Sequence, residues 1–345
     1  MPEEALVGPY RLGKPIGMGA TANVVEGIHH ETGDIVALKI LNAEFASRSD
    51  VVSRFVREGR ALQRLSHPNI VRVIDQGVSA NGDVWIAMER LDAVTLDTLM
   101  RHRPLALARA LRLGIDVASA LGAVHATGIV HRDVKPENIL VVNPATQMES
   151  AKLIDFGVAK VTSAEMGEGS IAHTRAGSIL GSTAFASPEQ LAGKTVDARA
   201  DVFALAVSLY EALTNELPFD GNTVKEQIAA REAGAIVPLR ARNVADTQFP
   251  DALEAFFVRA LARDPAKRPA DGSAVVKELE AVVAELGPSK ASTAVTVPPA
   301  RAKVEATAGS DPAPRAKEKR RPFPWLAVAV AILLALALAL LATRR

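Results

Sequence analysis

The chain has 345 residues, more than one ordinary domain needs and enough for a two-lobed unit with a cleft and further segments beyond it. Its net charge of +1, with 23% charged residues, leaves no nucleic-acid footprint in the globular part, so no nucleic-acid partner is expected. Having no cysteine excludes disulfides, thiolate metal sites and cysteine redox switching, without identifying a compartment.

The acidic start Met1-Pro2-Glu3-Glu4 has no apolar run behind it, which argues against a cleaved signal peptide; residues 1–9 read as a tail. Apolar residues alternate on both sides of I-G-M-G-A-T-A-N-V, Ile16 to Val24. This predicts a hairpin with Gly17 and Gly19 in its turn, where backbone amides can closely approach phosphate groups. The turn Glu31 to Asp34 then leads into a strand, Ile35 to Leu41, that carries Lys39. From Asp50 to Leu65 the spacing is helical, with Val52, Phe55, Val56, Leu62 and Leu65 apolar. Glu58, four residues before Leu62, shares its inward side and is the acidic candidate to hold Lys39. His67, in H-P-N-I-V, reads as a turn-stabilising group. Two strands follow, Val71 to Val78 and Val84 to Leu91. Beyond them the pattern turns helical: Leu105 to Thr127 and Asp201 to Thr214 predict buried helices of a larger second lobe, with His125 in a structural role.

The stretch Val130 to Leu140, V-H-R-D-V-K-P-E-N-I-L, places Asp133 two residues before Lys135 and five before Asn138. On a tight loop, such an aspartate can accept a hydroxyl proton while the ammonium steadies a transferring phosphate and the asparagine ligates a metal. Seventeen residues after Asn138 comes Asp155, in D-F-G, at the end of the short apolar stretch Lys152 to Ile154, where it suits a second metal-binding group.

Together, in this order, these motifs resemble the eukaryotic-type (Hanks-type) serine/threonine protein kinases over about Tyr10 to Leu286. The resemblance implies an α+β, two-lobed fold, with a small β-rich N-lobe containing one key helix and a larger helical C-lobe. It implies ATP and Mg²⁺ as cofactors, Mn²⁺ as a substitute, and protein substrates with Ser or Thr acceptors. V-A-L-K matches the family's third-strand lysine, so Lys39 would pair the α- and β-phosphates, positioned by Glu58. A-M-E-R-L resembles the hinge between the lobes: the backbone of Glu89 and Leu91 would bind adenine and Met88 would be the gatekeeper, although Met88 reads equally as ordinary core and the two roles are compatible. Val24 and Leu140 would cover the two faces of the base, and Ile16, Gly17, Gly19 and Ala37 would complete the nucleotide site. The family has a third glycine where this chain has Ala22, which implies a slightly stiffer phosphate cover. Asp133 would deprotonate the acceptor, Lys135 stabilise the γ-phosphoryl group, and Asn138 and Asp155 hold Mg²⁺. Lys135 also points to Ser/Thr rather than Tyr acceptors, and Ser182 replaces the family threonine while keeping a hydroxyl.

By the same resemblance, Asp201 would cap the catalytic-loop backbone, and S-P-E at Ser187 to Glu189 stands where the family has A-P-E, with Arg268 as the ion-pair partner of Glu189. The Gly-, Ser- and Thr-rich segment between Asp155 and Glu189 resembles an activation loop. Thr174, with Ser178 second, is the expected regulatory phosphosite, and Arg132 the natural partner for its phosphate.

Residues 287–322 are rich in Pro, Ala, Ser, Thr and Lys and read as a disordered linker that ends in a basic cluster. A transmembrane helix is expected over 323–343, because the 18 uncharged residues Trp325 to Ala342 reach about 27 Å, close to the roughly 30 Å of a hydrocarbon core. The heavier basic flank, Arg315, Lys317, Lys319, Arg320 and Arg321, predicts a cytoplasmic catalytic domain on a single-pass cell (plasma or inner) membrane protein. Only Arg344 and Arg345 follow in this sequence, so a short outer tail without a sensor is expected. This anchor, with S-P-E-Q at Ser187 to Gln190, resembles the bacterial branch of the family. Ala327, Ala331, Ala335 and Ala339 recur every four residues, a ridge explained either by Ala/Leu bias or by a homodimer contact.

Overall fold

The computed structural model describes residues 6–155, 183–242, 244 and 247–291. Thr174, Ser178 and Ser182 lie outside the described residues, as do most of the expected linker and the whole expected membrane segment 323–343. No helix among the described residues is long and apolar enough to cross a membrane.

The smaller lobe is a six-stranded antiparallel sheet: β1 (Leu6–Val7), β2 (Tyr10–Met18), β3 (Ala22–His29), β4 (Ile35–Leu41), β5 (Val73–Val78) and β6 (Val84–Glu89), in the order β1-β2-β3-β4-β6-β5. Short polar turns between successive alternating runs make antiparallel neighbours the natural pairing. The β2–β3 register slips on both sides of Pro15, which has no N–H to give to the ladder. Gly17 is not in the turn, contrary to expectation. It pairs with Val24 inside the ladder, which continues to Met18 opposite Asn23, so only residues 19–21 connect the strands. Gly19 is the position that needs glycine: its N–H donates to the Ala22 carbonyl at 3.1 Å, and a Cβ there would lie 2.7 Å from that oxygen.

Two helices sit between β4 and β5: α1 (Ala43–Ala46), which sequence reasoning missed, and α2 (Ser49–Gln63). The apolar spacing puts Phe55, Glu58, Gly59 and Leu62 on the buried side of α2. Gly59 lets that side come close to the sheet, since a Cβ would stand 2.2 Å from Gln76 Oε1 and 3.1 Å from Ile86 Cδ1. The opposite sheet face carries a separate small core of Val7, Tyr10, Val36, Leu38, Trp85 and Ala87, with Tyr10 edge-on to Trp85.

The larger lobe contains α3 (Leu96–Met100), α4 (Leu107–His125), α5 (Pro188–Leu191), α6 (Ala198–Thr214), α7 (Val224–Ala233), α8 (Asp251–Ala260) and α9 (Gly272–Ala291, interrupted at Gly287). It is not purely helical. A three-stranded antiparallel sheet, β7 (Ala93–Thr95), β8 (Ile139–Val142) and β9 (Ser150–Leu153), lies in the order β7-β8-β9; strands of three or four residues are too short to show a period in sequence. The helix α4 starts two residues later than expected: Ala106 before it is not helical, at ψ 138°, and the Leu105 N–H is donated instead to the Ala212 carbonyl of α6. The helix α6 starts earlier than expected, because Asp197 caps it by accepting the Arg199 N–H. Buried without a break from Ala200 to Tyr210, α6 is the pillar of the lobe.

Asn69 and β9 join the lobes at the site. The Leu153 N–H donates to the Asn69 carbonyl, the Val71 N–H donates to the Leu153 carbonyl, and Asn69 Nδ2 reaches the Ala151 carbonyl.

Candidate active site

The buried carboxylate of Asp201, on α6, organises the loop that carries Asp133. Its two oxygens accept the N–H groups of His131 at 2.6 Å and Arg132 at 2.7 Å, and His125 Nε2 lies 3.0 Å away. Turning both amides toward one carboxylate places Arg132 in the left-handed region, at φ 66°. Such a conformation costs a non-glycine residue about 1–3 kcal/mol, which two charge-assisted bonds offset. His125 is also tied at its other nitrogen, which accepts the Gly272 N–H, so its role is structural.

His131 is fully buried and bridges the two catalytic segments. Its Nδ1 accepts the Asp133 N–H, so Nε2 carries the proton and donates to the Ile154 carbonyl at 3.1 Å. Burial pushes its pKa down, which keeps the ring in this neutral form. His67 likewise closes its turn, accepting the Asn69 N–H.

Asn138 holds Asp133 from below, donating through Nδ2 to its carbonyl at 2.8 Å and its carboxylate at 3.1 Å. Lys135 Nζ lies 3.5 Å from the same carboxylate oxygen. The β8–β9 pairing extends one step further, with the Ile154 N–H donating to the Asn138 carbonyl, and this sets Asn138 next to Asp155. Asp155 itself has φ 53°.

Lys39 enters from the other lobe. Its ammonium donates to Asp155 Oδ1 at 2.8 Å and Glu58 Oε1 at 3.3 Å, 5.6 Å from the centre of the Phe55 ring. Burial opposes the Lys39 charge, but the two carboxylates outweigh it and raise the pKa. Burial also acts against the charge of each carboxylate, with different results. For Glu58 it dominates, and the pKa is pushed up to about 7 despite Lys39. For Asp155 burial is again the largest single effect, but the charge and shorter bond of Lys39, with help from Lys135, outweigh it together, and the pKa falls below the usual carboxylate range. Lys39 is thus shared unequally, with Asp155 the firmer partner. Arg54 pairs with Asp50 and leaves Glu58 to Lys39.

Sheet register aligns the remaining nucleotide-site candidates. Val24 lies opposite Lys39, Ala37 lies two residues from it on the same face of β4, and Met88 lies opposite Ala37. Met88 is buried, Val24, Ala37, Leu91 and Leu140 are half-buried, and Ile16 is exposed. The Glu89 N–H is donated to the Arg72 carbonyl, so any contact of this backbone with adenine goes through the Glu89 carbonyl. The Glu89 side chain binds Lys152 at 2.8 Å and the Arg72 N–H at 2.9 Å.

The donor set fits a hard divalent cation. Asn138 and Asp155, brought near each other by the Ile154–Asn138 backbone bond, carry an amide and a carboxylate oxygen, and no group of three His, Cys, Asp or Glu side chains placed to hold a metal occurs among the described residues. Two protein oxygens plus substrate phosphates and water is the usual environment of Mg²⁺.

On the far side of the loop, Glu189 and Arg268 form a two-pronged buried pair at 2.7 and 2.9 Å. Gln190 escaped sequence reasoning as a site residue. Its side chain accepts the Ser187 N–H and donates to the Arg132 carbonyl at 3.0 Å, and the Ser187-x-x-Gln190 spacing of a capping box was the available signal.

A sheet lobe presenting Lys39 and Glu58 to a helical lobe that carries Asp133, Asn138 and Asp155 defines a two-lobed fold of the protein-kinase type. The protein kinase domain pattern matches residues 10–279, and the chain belongs to that family. It is 36% identical over 274 residues to the serine/threonine-protein kinase pkn3 of Myxococcus xanthus, covering 79% of this chain and 50% of that protein. It is 37% identical to the serine/threonine-protein kinase PknL of Mycobacterium bovis, over 80% of this chain and 66% of that one. The chain therefore spans about half to two thirds of the length of these two relatives. The solved PknI kinase domain of Mycobacterium tuberculosis aligns with a TM-score of 0.61 at 25% identity, over 82% of this chain and 99% of that one.

Proposed function

We propose that the chain is an ATP-dependent serine/threonine protein kinase. The observation that carries this reading is the chain of hydrogen bonds that links Asp133 to Asn138, Asn138 through the Ile154 N–H to the strand end bearing Asp155, and Asp155 across the lobes to Lys39. In the proposed reaction, Asp133 takes the proton of an acceptor Ser or Thr hydroxyl whose oxygen bonds to the γ-phosphorus. The bond from that phosphorus to the β,γ-bridging oxygen breaks, and ADP leaves. Asn138 keeps the Asp133 carboxylate in place, Lys135 balances charge on the moving phosphoryl group, and Lys39, steadied by Glu58, holds the α- and β-phosphates. Mg²⁺, or Mn²⁺ in its place, held by Asn138 and Asp155, would neutralise phosphate charge. Leu91, the Glu89 carbonyl, Val24, Ala37, Met88 and Leu140 would enclose adenine, with Ile16, Gly17 and Gly19 over the phosphates.

The same reading includes autophosphorylation at Thr174 or Ser178, opposite Arg132, and a single-pass anchor over 323–343 in the cell membrane, with the kinase domain cytoplasmic. The uncharged run Trp325 to Ala342 and its heavy basic flank support the anchor. Two copies would associate through the Ala327 to Ala339 ridge.

The test is to incubate the full chain in detergent with labelled ATP and Mg²⁺, beside D133N and K39M, and to map phosphate by mass spectrometry. Label on Ser or Thr that both variants abolish is the expected result. Nucleotide binding without transfer to itself or to a generic protein acceptor would refute the reading. A lack of phosphate between Ser163 and Thr183 in active protein would refute the regulatory part. Recovery of the intact chain in the supernatant after lysis and ultracentrifugation without detergent would refute the anchor.

A further inference from the structure

The helix α7 has one buried residue, and it is an arginine. Arg231 is 2% exposed and donates one guanidinium nitrogen to the carbonyls of Thr183 at 2.9 Å and Ala186 at 2.5 Å, and the other to the Ala184 carbonyl at 2.6 Å. The guanidinium packs against Phe203 and Phe219, 5.8 and 5.5 Å from their ring centres. Its Nε is buried without a partner, and burial alone pushes the pKa down to about 10. Burying a cation without a carboxylate is costly, so the site must use its donors well. All three of its hydrogen bonds go to one four-residue stretch of main chain.

That stretch borders the catalytic loop. Ala184 and Phe185 line a cleft of about 340 Å³ whose other side includes Pro136 and Glu137, next to Lys135. At its far end, Ser187 is tied through Gln190 to the Arg132 carbonyl, one residue before Asp133. Pro136 and Glu137 follow Asp133 and Lys135 in the same loop, so a polypeptide seated in this cleft lies next to the loop that carries Asp133. We propose that Arg231 is a positioning residue for the acceptor, holding Thr183–Ala186 as a fixed shelf on which the substrate polypeptide docks beside Asp133. This inference rests on the kinase reading and names how that site receives its substrate.

A planar fork reaches three carbonyls at once, whereas a lysine presents its donors from a single point. The full chain carrying R231K, with R231M as a second variant, is compared with wild type by amide hydrogen exchange and by separate KM measurements for a protein acceptor and for ATP. The expected result is exchange about tenfold faster at residues 184–187, unchanged in α4, with the acceptor KM raised about five- to tenfold and the ATP KM within about twofold. Wild-type exchange in a folded variant overturns the inference. So does an equal rise of both KM values, or a faster exchange with an unchanged acceptor KM. If R231M does not fold, R231K decides. A wild-type chain that transfers no phosphate refutes the kinase reading instead, and the exchange arm still decides whether Arg231 holds the shelf.

Discussion

Replacing Glu189 with alanine should destabilise the protein by about 3 kcal/mol, and replacing Arg268 should cost more, about 4–5 kcal/mol. The pair is buried, with Glu189 8% and Arg268 4% exposed, and its two bonds are charge-assisted ones worth about 1.5–3 kcal/mol each. The two truncations are not equivalent. Without Glu189, Arg268 keeps the carbonyls of Ala262 at 2.7 Å, Arg199 at 3.1 Å and Arg263 at 3.1 Å, and the Phe203 ring at 4.9 Å. Without Arg268, a largely buried carboxylate loses its partner, and those three carbonyls lose their donor. For a domain of this size, about 3 kcal/mol lowers Tm by roughly 6–12 °C. The assay is urea and thermal unfolding of both single variants and E189A/R268A. The double variant should cost less than the sum by about 2 kcal/mol or more. Additive costs, or an E189A stability within about 1 kcal/mol of wild type, would show that the pair does not hold the lobe together.

Asp201→Ala leaves the His131 and Arg132 amides without their acceptor, so the catalytic loop should lose about 2–4 kcal/mol of local stability, read as faster exchange at those amides while α2 is unchanged. Glu58 and Glu211 both have pKa values pushed up to about 7 by burial. Between about pH 4.5 and 7 the folded state holds protons that the unfolded chain has released, so their contribution is full at low pH and is lost as pH rises through 7. Carboxyl-carbon NMR of the nucleotide-free protein should show two glutamates titrating near pH 7, one removed by E58Q and the other by E211Q; midpoints near 4.5 for both would contradict the burial argument. Gln190→Ala, which removes both arms of its amide, should cost about 1–2 kcal/mol and raise the acceptor KM more than the ATP KM; an unchanged acceptor KM would count against the link to Arg132.

Much of the site was legible because its signals are local. The spacing of Asp133, Lys135 and Asn138, the strand Ile35 to Leu41 and the face shared by Glu58 and Leu62 all follow from short-range patterns. Gly17 was misplaced because alternation reveals a hairpin but not where its ladder ends, and β7 to β9 were missed because they are too short to repeat. Arg231 had no signal at all: an arginine in a helix rich in charged residues looks like a solvated one.

By itself, the sequence determined which chemical groups are present, their local spacing and the elements that carry them. Only the tertiary structure decided that Asp155, 116 residues away, shares Lys39 with Glu58, that the two amides taken by Asp201 are those of His131 and Arg132, and that Arg231 grips Thr183–Ala186. Each of these joins groups brought together by packing around α6 and across the lobes. Partners so far apart in the chain leave no trace in a local period, because burial and charge neutralisation act through space.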